Sequence, residues 1–137
     1  MFPFFFESHC AKVSFVPDLK TCHHLAQLLV GKHDFKYFRK KGSNENSTIR
    51  EIFYASFEKK PFKGLYEMEN ISHYYALKIK ANSFLYRMVR NIMGACFEVL
   101  SGKQTLKSFE AMLKNNGKQF LYSPAEAKGL CLLNVEY

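Results

Sequence analysis

An arginine beside a glycine in a helical pattern is the most chemically suggestive arrangement in this sequence. Arg90 stands at the boundary between apolar and polar positions, with Tyr86 one turn before it and Gly94 one turn after it. A glycine inside a helix costs about 1 kcal/mol relative to alanine, so Gly94 predicts that another backbone or a ligand approaches closely there. A guanidinium beside such a notch could hold an anion. An arginine that only extends its charge to solvent, next to a packing glycine, would give the same pattern.

Other residue types that often carry chemistry give weaker signals. His33 and Asp34 are adjacent, but neighbours in sequence rarely act on one another and no third catalytic group is evident. His23 and His24 are adjacent on a predicted helix, so their side chains point apart. We interpret them as solvent-exposed histidines rather than as ligands. The scattered cysteines, without a C-x-x-C pair, indicate buried thiols in a reducing compartment rather than a disulfide framework or a zinc site. They are Cys10, Cys22, Cys96 and Cys131.

The helix that positions Arg90 is predicted to run from Asn82 to Gly102. Asn82 or Ser83 can cap its start, and Gly102 can end it. At about 100° per residue, one wide face is apolar: Phe84, Leu85, Met88, Val89, Ile92, Met93, Cys96 and Leu100. The opposite side carries Arg87, Arg90, Asn91, Gly94 and Glu98.

The remaining elements predict an α+β domain that spans residues 1–137. Asp18 caps a first helix that Gly31 ends, with an apolar side made of Leu19, Cys22, Ala26, Leu29 and Val30. Strand patterns cover residues 48–57, 65–69, 74–80 and 129–137, and a basic turn occupies residues 59–64. Thr105 caps a shorter helix that runs to about Asn115. This order predicts two layers, with helices packed on one face of a mainly antiparallel sheet.

The charge balance predicts an anionic partner. The net charge is +8, for which nucleic acid is the leading candidate and an anionic membrane surface a weaker one. Between residues 33 and 43 aromatic residues alternate with lysine and arginine. Segments that bind nucleic acid often have this pattern, because the cations contact phosphates and the rings stack on nucleobases. A plain exposed loop anchored by Phe35 and Phe38 would look similar. The residues we assign to RNA contact are Lys36, Arg39, Lys40, Lys41, Arg50 and Arg87.

The sequence shows neither a targeting signal nor a membrane segment. Residues 2–6 are apolar but far too short for the core of a signal peptide, and no basic residue precedes them. No run approaches the ~18 apolar residues of a membrane helix. We therefore expect a cytoplasmic protein that does not bind a membrane.

One segment closely resembles a known family signature. Residues 84–94, F-L-Y-R-M-V-R-N-I-M-G, resemble the F-L-x-x-M-V-R-N-x-x-G signature of the tRNA pseudouridine synthases of the TruA type. Three further segments resemble that family in the same order: Gly31–Phe38 (G-x-H-D-F-x-x-F), Ile49–Ile52 (V-R-x-I) and 123–137 (A-P-A-x-G-L-x-L-x-x-V-x-Y). The resemblance covers about residues 17–137. Leu100 departs from it, standing where a glycine is usual, and the closing loop is slightly longer.

The resemblance is to the C-terminal half of that family only. The family nucleophile is an aspartate in a G-R-T-D-x-G segment of the N-terminal half, and this sequence contains no such segment. Its two aspartates, Asp18 and Asp34, belong to a helix cap and to the H-D-F motif. The resemblance implies that Arg90 pairs with the absent aspartate. We further expect the pocket to be lined by Phe84, Leu85 and Gly94.

For a complete enzyme, the resemblance implies isomerisation of uridine to pseudouridine in the anticodon arm of tRNA, without metal or organic cofactor. For this chain it implies that the N-terminal half is a required partner and that the chain is inactive without it. An apolar opening at residues 2–6 and an uncovered sheet edge also predict a homodimer. Two alternatives stay open: a stand-alone RNA-binding module without catalysis, and a structural or dimerising domain whose charge is incidental.

Overall fold

In the part of the chain that the structure describes, three helices share one core with a three-stranded antiparallel sheet, which confirms the predicted α+β class. The computed structural model describes Phe15, residues 17–40, Gly42, residues 45–61 and residues 73–126. The elements are α1 (Leu19–Leu29), β1 (Gly31–Asp34), a 3-10 turn η1 (Lys36–Phe38), β2 (Ile49–Pro61), β3 (His73–Ala81), α2 (Met88–Leu100) and α3 (Leu106–Leu113). The sheet order is β1-β2-β3. The segments predicted at residues 2–6, 65–69 and 129–137 lie outside the described residues.

The first helix begins at its predicted cap. The carboxylate of Asp18 accepts hydrogen bonds from the backbone N–H and the hydroxyl of Thr21, and the hydroxyl contact lowers the pKa of Asp18. The buried stripe is Cys22, Leu25, Ala26 and Leu29. Two residues assigned to this stripe, Leu19 and Val30, are instead exposed. Val30 has left the helical conformation, so its side chain no longer follows the helical period.

Strand β2 contains a β-bulge at Phe53. Ile52 pairs with Ala81 and Tyr54 pairs with Lys80, so Phe53 has no residue opposite it. The extra residue reverses the alternation of side chains. Ile52 and Phe57 are therefore both buried although they are five positions apart, and the Phe53 side chain is 52% exposed.

Strand β2 also runs further than predicted. The basic turn expected from Lys59 is wrong, because Lys59, Lys60 and Pro61 continue the antiparallel ladder with β3. Proline is tolerated there because it ends the strand. In strand β3, which the sequence predicted at residues 74–80, Leu77 is buried and Lys78 and Lys80 on the opposite face are exposed.

Helix α2 begins at Met88, so the predicted start at Asn82 or Ser83 is wrong. The side-chain oxygen of Asn82 accepts the N–H groups of Glu51 and Ser83, and the Asn82 N–H donates to the Glu51 carbonyl. These contacts tie the segment to β2 and leave Asn82 unable to cap a helix. The turn into the helix is made by Arg87, which adopts a left-handed conformation with φ 60° and ψ 12°.

The later start changes which side chains reach the core. Leu85 is buried as predicted, but Phe84 is 40% exposed because helical periodicity does not apply before Met88. Asn91 and Gly94, which were assigned to the polar side of the helix, are both buried. Their surroundings define the functional site.

The two C-terminal helix boundaries follow their local signals. Gly102, with φ 86°, ends α2 as predicted. The Thr105 hydroxyl accepts the N–H of Ser108 at 3.0 Å and caps α3. Helix α3 ends at Leu113, and the φ of 58° at Asn115 allows the Asn116 N–H to reach the Ala111 carbonyl at 2.8 Å. Phe109 and Leu113 are buried as predicted.

The interpretation of the cysteines as buried thiols is confirmed for Cys22 and Cys96, which are fully buried and free. Burial raises the pKa of Cys22 to about 11 and also raises the pKa of Cys96. Thiols react as thiolates, so both groups are shielded chemically as well as sterically at neutral pH.

We predict that Cys22 and Cys96 react with a thiol reagent only when the protein unfolds. The measurement is the rate of colour release by an aromatic disulfide in a variant with Cys10→Ser and Cys131→Ser, so that only these two thiols report. The rate should follow the fraction unfolded as denaturant is added. Rapid reaction of either thiol in native buffer would contradict the burial described above.

Candidate functional site

The backbone and the side chain of Arg90 both bind one residue of a distant segment. The Arg90 carbonyl accepts the N–H of Ala125 at 2.9 Å, and the Arg90 Nε–H donates to the Ala125 carbonyl at 2.8 Å. We call residues 120–125 the strap, because this segment crosses α2 without regular secondary structure. The paired hydrogen bonds fix the plane of the guanidinium against the strap.

The outer edge of the same guanidinium has no partner within the described part of the chain. The only polar contact of the Arg90 side chain there is the one made by Nε, and no carboxylate pairs with it. The side chain is half-buried. Its two terminal nitrogens can therefore bind a planar anion in the bidentate geometry that guanidinium groups favour.

The close approach that Gly94 predicted is made by the backbone of the strap. A Cβ atom at Gly94 would lie 1.9 Å from the Ser123 carbonyl oxygen and 3.1 Å from the Pro124 Cα. Real Cβ atoms essentially never lie within 3.0 Å of a backbone atom, so the distance to the Ser123 oxygen excludes any side chain here. Glycine at position 94 is therefore what allows the strap to lie on α2.

A tyrosine anchors the other end of the strap. The Tyr122 ring stacks on Phe38, with centroids 6.2 Å apart and an interplanar angle of 24°. Its hydroxyl donates to the Tyr37 carbonyl at 2.6 Å. A tyrosine hydroxyl is protonated at physiological pH and can donate, and burial raises the pKa of Tyr122 further, to about 12.

A buried amide joins η1 to α2. Asn91 is 4% exposed, and its Nδ2 donates to the Phe38 carbonyl at 2.9 Å. Sequence reasoning missed this role because Asn91 was placed on the polar side of the helix. The spacing held a usable signal, since Asn91 lies three residues after Met88 and four before Ala95, both of which are buried.

The aromatic–basic segment that follows β1 is anchored rather than open. Phe35 and Phe38 are fully buried, so these two rings anchor the segment and are not available to stack on bases, whereas RNA contact by its other residues stays a prediction. The cations of the segment lie at its surface. Lys36 Nζ is 5.2 Å from the centre of the Tyr37 ring. Lys41 lies outside the described residues.

The structure brings together two cations that were predicted from separate segments. Lys40 Nζ lies 5.1 Å and the Arg87 guanidinium carbon 5.7 Å from the centre of the Tyr86 ring. The Lys40 N–H also donates to the Tyr86 carbonyl at 3.1 Å. We call Lys40, Tyr86 and Arg87 the Tyr86 cluster. Tyr86 is 56% exposed, and its part in this surface was not predicted.

Three charged residues near this cluster form contacts within the surrounding turns: Arg39, Glu45 and Arg50. Arg39 pairs with Glu45 at 3.8 Å, and Glu45 also accepts the Tyr86 N–H at 3.4 Å. Arg50 Nη1 donates to the Ser47 and Ile49 carbonyls, both at 2.8 Å, which holds its guanidinium on its own turn. Arg50 is therefore not joined to the Tyr86 cluster by any contact between described residues.

Asp34 is committed to a turn. Its carboxylate accepts hydrogen bonds from the Thr48 hydroxyl and, at 3.1 Å, from the Lys36 N–H. These bonds stabilise the passage from β1 into η1 and link it to the start of β2. The neighbouring His33 has its Nε2 3.3 Å from the Val30 carbonyl, so the two side chains serve separate local contacts.

The three residues predicted to line a pocket lie in different surroundings. Leu85 belongs to the core, Phe84 is exposed next to Tyr86 in the chain, and Gly94 is covered by the strap. Their role in a pocket stays a prediction. In the described ranges, no three His, Cys, Asp or Glu side chains gather into a possible metal site. The helices of those ranges include none that is long and apolar enough to cross a membrane.

Comparison with known proteins agrees with the signature around Arg90. A family model described as tRNA pseudouridine synthase matches residues 25–137. The chain belongs to this family. Its members include tRNA pseudouridine synthase A of Blochmanniella floridana, which is 35% identical over 120 residues, covering 88% of this chain and 43% of the relative.

Further family members give the same coverage. The enzyme of the same name from Wigglesworthia glossinidia brevipalpis is 33% identical over 132 residues, covering 96% of this chain and 46% of the relative. The tRNA pseudouridine synthase A 2 of Desulfotalea psychrophila is 34% identical over 119 residues, covering 87% and 43%. The chain thus spans less than half the length of these tRNA pseudouridine synthases.

We predict that Gly94→Ala destabilises the protein. In a free helix this change gains about 1 kcal/mol, but here the new methyl group meets the Ser123 carbonyl and we expect a loss of about 1–3 kcal/mol. The measurement is the free energy of unfolding from denaturant titration. Lys107→Ala, at an exposed position in α3, is the control and should change stability by less than about 0.5 kcal/mol. An increase in stability for Gly94→Ala would show that the strap does not press on α2.

Proposed function

We propose that this chain is the RNA-binding half of a tRNA pseudouridine synthase and supplies Arg90 to a nucleophilic aspartate carried by another polypeptide segment. The observation that supports this most directly is the state of the Arg90 guanidinium. Its Nε is held by Ala125, and its terminal nitrogens have no carboxylate partner among the described residues. A carboxylate of the same domain bound to these terminal nitrogens would instead have pointed to a structural role.

The geometry suits an arginine that keeps a carboxylate ionised and aimed. A bidentate guanidinium stabilises the charged form of a carboxylate, lowers its pKa and fixes the direction of its oxygens. Because Nε is already bound to the strap, the carboxylate would bind the edge of the guanidinium that the two terminal nitrogens form. Lysine offers a point charge without that edge and would not replace Arg90.

In the proposed reaction the aspartate attacks a uridine that has been flipped out of the RNA. The carboxylate bonds to the sugar as the bond between the sugar and the base nitrogen breaks, and the base rotates. A carbon of the base then bonds to the sugar and displaces the carboxylate. That carbon loses a proton and the freed nitrogen gains one, so the product is an isomer of uridine. Arg90 contacts the aspartate rather than the base. We place the target uridines in the anticodon arm of tRNA and the reaction in the cytoplasm, on the basis of the family resemblance. No metal or organic cofactor is needed.

The proposed RNA surface is centred on the Tyr86 cluster. Lys40 and Arg87 provide two cations for phosphates, and the exposed ring between them provides an aromatic surface for a base. We extend this surface to Lys36, Arg39, Lys41 and Arg50. Residues 1–137 act in this proposal as one domain of a homodimer, in which the catalytic half and the second copy cover apolar side chains such as the exposed Phe53 and Leu121.

A second candidate is a stand-alone RNA-binding module. It is favoured by one specific observation: the Tyr86 cluster places two cations around one exposed ring, an arrangement that can bind RNA without catalysis. Such a module would bind tRNA with the same salt dependence but would not gain activity from a catalytic partner. Adding an N-terminal half that carries the aspartate therefore distinguishes a synthase half from a stand-alone RNA-binding module.

The first test joins this chain to a separately produced N-terminal half of the Blochmanniella floridana enzyme, both as a mixture and as a fusion. We expect no pseudouridine from the chain alone and measurable pseudouridine from the fusion. Arg90→Ala in the fusion should lower kcat by about 100-fold or more, because breaking a buried ion pair costs about 3–5 kcal/mol. Arg90→Lys should recover little of the loss. The affinity for tRNA should change little in either variant.

Two results would count against this assignment. Equal losses of kcat and of tRNA affinity in Arg90→Ala would mean that Arg90 binds RNA rather than the nucleophile. Pseudouridine formation by the 137 residues alone would mean that a different group acts as the nucleophile. Lys103→Ala, an exposed change remote in sequence from the Tyr86 cluster, is the matched control and should retain full activity.

The second test concerns the RNA surface. The double variant Lys40→Ala, Arg87→Ala should weaken tRNA binding and reduce the slope of log affinity against log salt by about one unit for each phosphate that the protein no longer neutralises. The measurement is a binding titration with labelled tRNA at several salt concentrations. The pair Lys103→Ala, Lys107→Ala removes the same charge from exposed positions at α3 and should leave the slope nearly unchanged. Equal effects of the two double variants would assign binding to net charge alone.

A further inference from the structure

We propose that the strap positions Arg90 and that Tyr122 is the residue that fixes the strap in place. This inference rests on the proposed role of Arg90 and adds positioning residues to it. Tyr122 does not contact Arg90. It acts through the three residues that follow it, the last of which is Ala125.

The part of the strap from Tyr122 to Ala125 is held at both of its ends, and its middle lies directly on helix α2. At one end the Tyr122 hydroxyl binds the Tyr37 carbonyl at 2.6 Å, and in the middle the Ser123 carbonyl lies over Gly94. At the other end Ala125 exchanges two hydrogen bonds with Arg90. Three residues of extended chain span only about 10 Å, so a shift at Tyr122 has little slack before it reaches Ala125.

The hydroxyl of Tyr122, rather than its ring, sets the position of the strap along α2. Stacking on Phe38 holds the ring near η1 but tolerates sliding in the plane of contact. The hydrogen bond to the Tyr37 carbonyl is directional and removes that freedom. Asn91 holds the next carbonyl of η1, at Phe38, so η1, the strap and α2 are fixed to one another by three separate contacts.

Loss of this restraint should affect turnover and not binding. If the strap slides, the Ala125 carbonyl leaves the Arg90 Nε–H, and the guanidinium gains rotational freedom. The terminal nitrogens then meet the nucleophilic carboxylate in the productive orientation less often, and small misplacements of this kind lower rates strongly. The strap carries none of the assigned RNA contacts, so KM should be unaffected.

The test uses the fusion enzyme with Tyr122→Phe, which keeps the ring and removes only the hydroxyl. We expect kcat to fall by about tenfold with KM unchanged, within the range that slight misorientation produces. Tyr75→Phe removes a hydroxyl from a half-buried tyrosine of β3 and is the matched control, for which kcat should not change. Unchanged kcat in Tyr122→Phe at a temperature well below unfolding would overturn the proposal.

A double-mutant cycle then asks whether Tyr122 acts through Arg90. In the Arg90→Ala background, Tyr122→Phe should have no further effect on kcat, whereas independent roles would give additive losses and would contradict the proposal. A purely structural role for Tyr122 would lower stability in both backgrounds without this dependence. If Arg90→Ala alone left kcat unchanged, the proposed function would fail, and this result is distinct from failure of the strap.

A readout that needs no catalysis completes the test. In the nuclear magnetic resonance spectrum of the full 137-residue chain, the Arg90 Nε–H should exchange slowly with water because Ala125 accepts its hydrogen bond. Tyr122→Phe should speed that exchange by about tenfold while backbone amides of α3 keep their protection. Equal exchange at Nε in the two proteins would show that the strap does not depend on Tyr122.

Discussion

The contact between the strap and helix α2 is the constraint on which the site depends. Without a side chain at position 94, the Ser123 carbonyl comes so close to the helix that no Cβ could stand between them. That approach brings Ala125 within hydrogen-bonding distance of both the backbone and the side chain of Arg90. Glycine has a lower helix propensity than a larger residue, but at position 94 it allows backbone atoms of the strap to orient the Arg90 guanidinium.

Local signals predicted those parts of the fold whose hydrogen bonds are local. The caps at Asp18 and Thr105 and the end of α2 at Gly102 each satisfy groups within a few residues, and the sequence pattern identified all three. The start of α2 was wrong for the opposite reason. Asn82 has good capping chemistry, but its side chain and backbone bind β2, a strand 31 positions away. Propensity does not report such long-range competition.

The site shows the same division. Arg90 and Gly94 could be singled out because residue type and spacing at one helix carry the signal, and the family resemblance then gave Arg90 a role. The spacing of Asn91 could have indicated that it is buried, but neither its partner nor the role of Tyr122 could be predicted, because each binds a carbonyl of η1 that is brought near only by folding. The Tyr86 cluster was half predicted: its cations were identified, but the ring that gathers them was not.

The bulge at Phe53 gives β2 an asymmetric tolerance to mutation. Because this one extra residue reverses the alternation, it determines which side chains between Tyr54 and Lys59 face the helices. A substitution at Phe53 changes a side chain that is half in solvent, whereas a deletion there would turn every following side chain of the strand over. Phe57 would then leave the core, and outward-facing side chains would enter it. The length of this strand should therefore be more restricted in evolution than the identity of its most exposed aromatic residue.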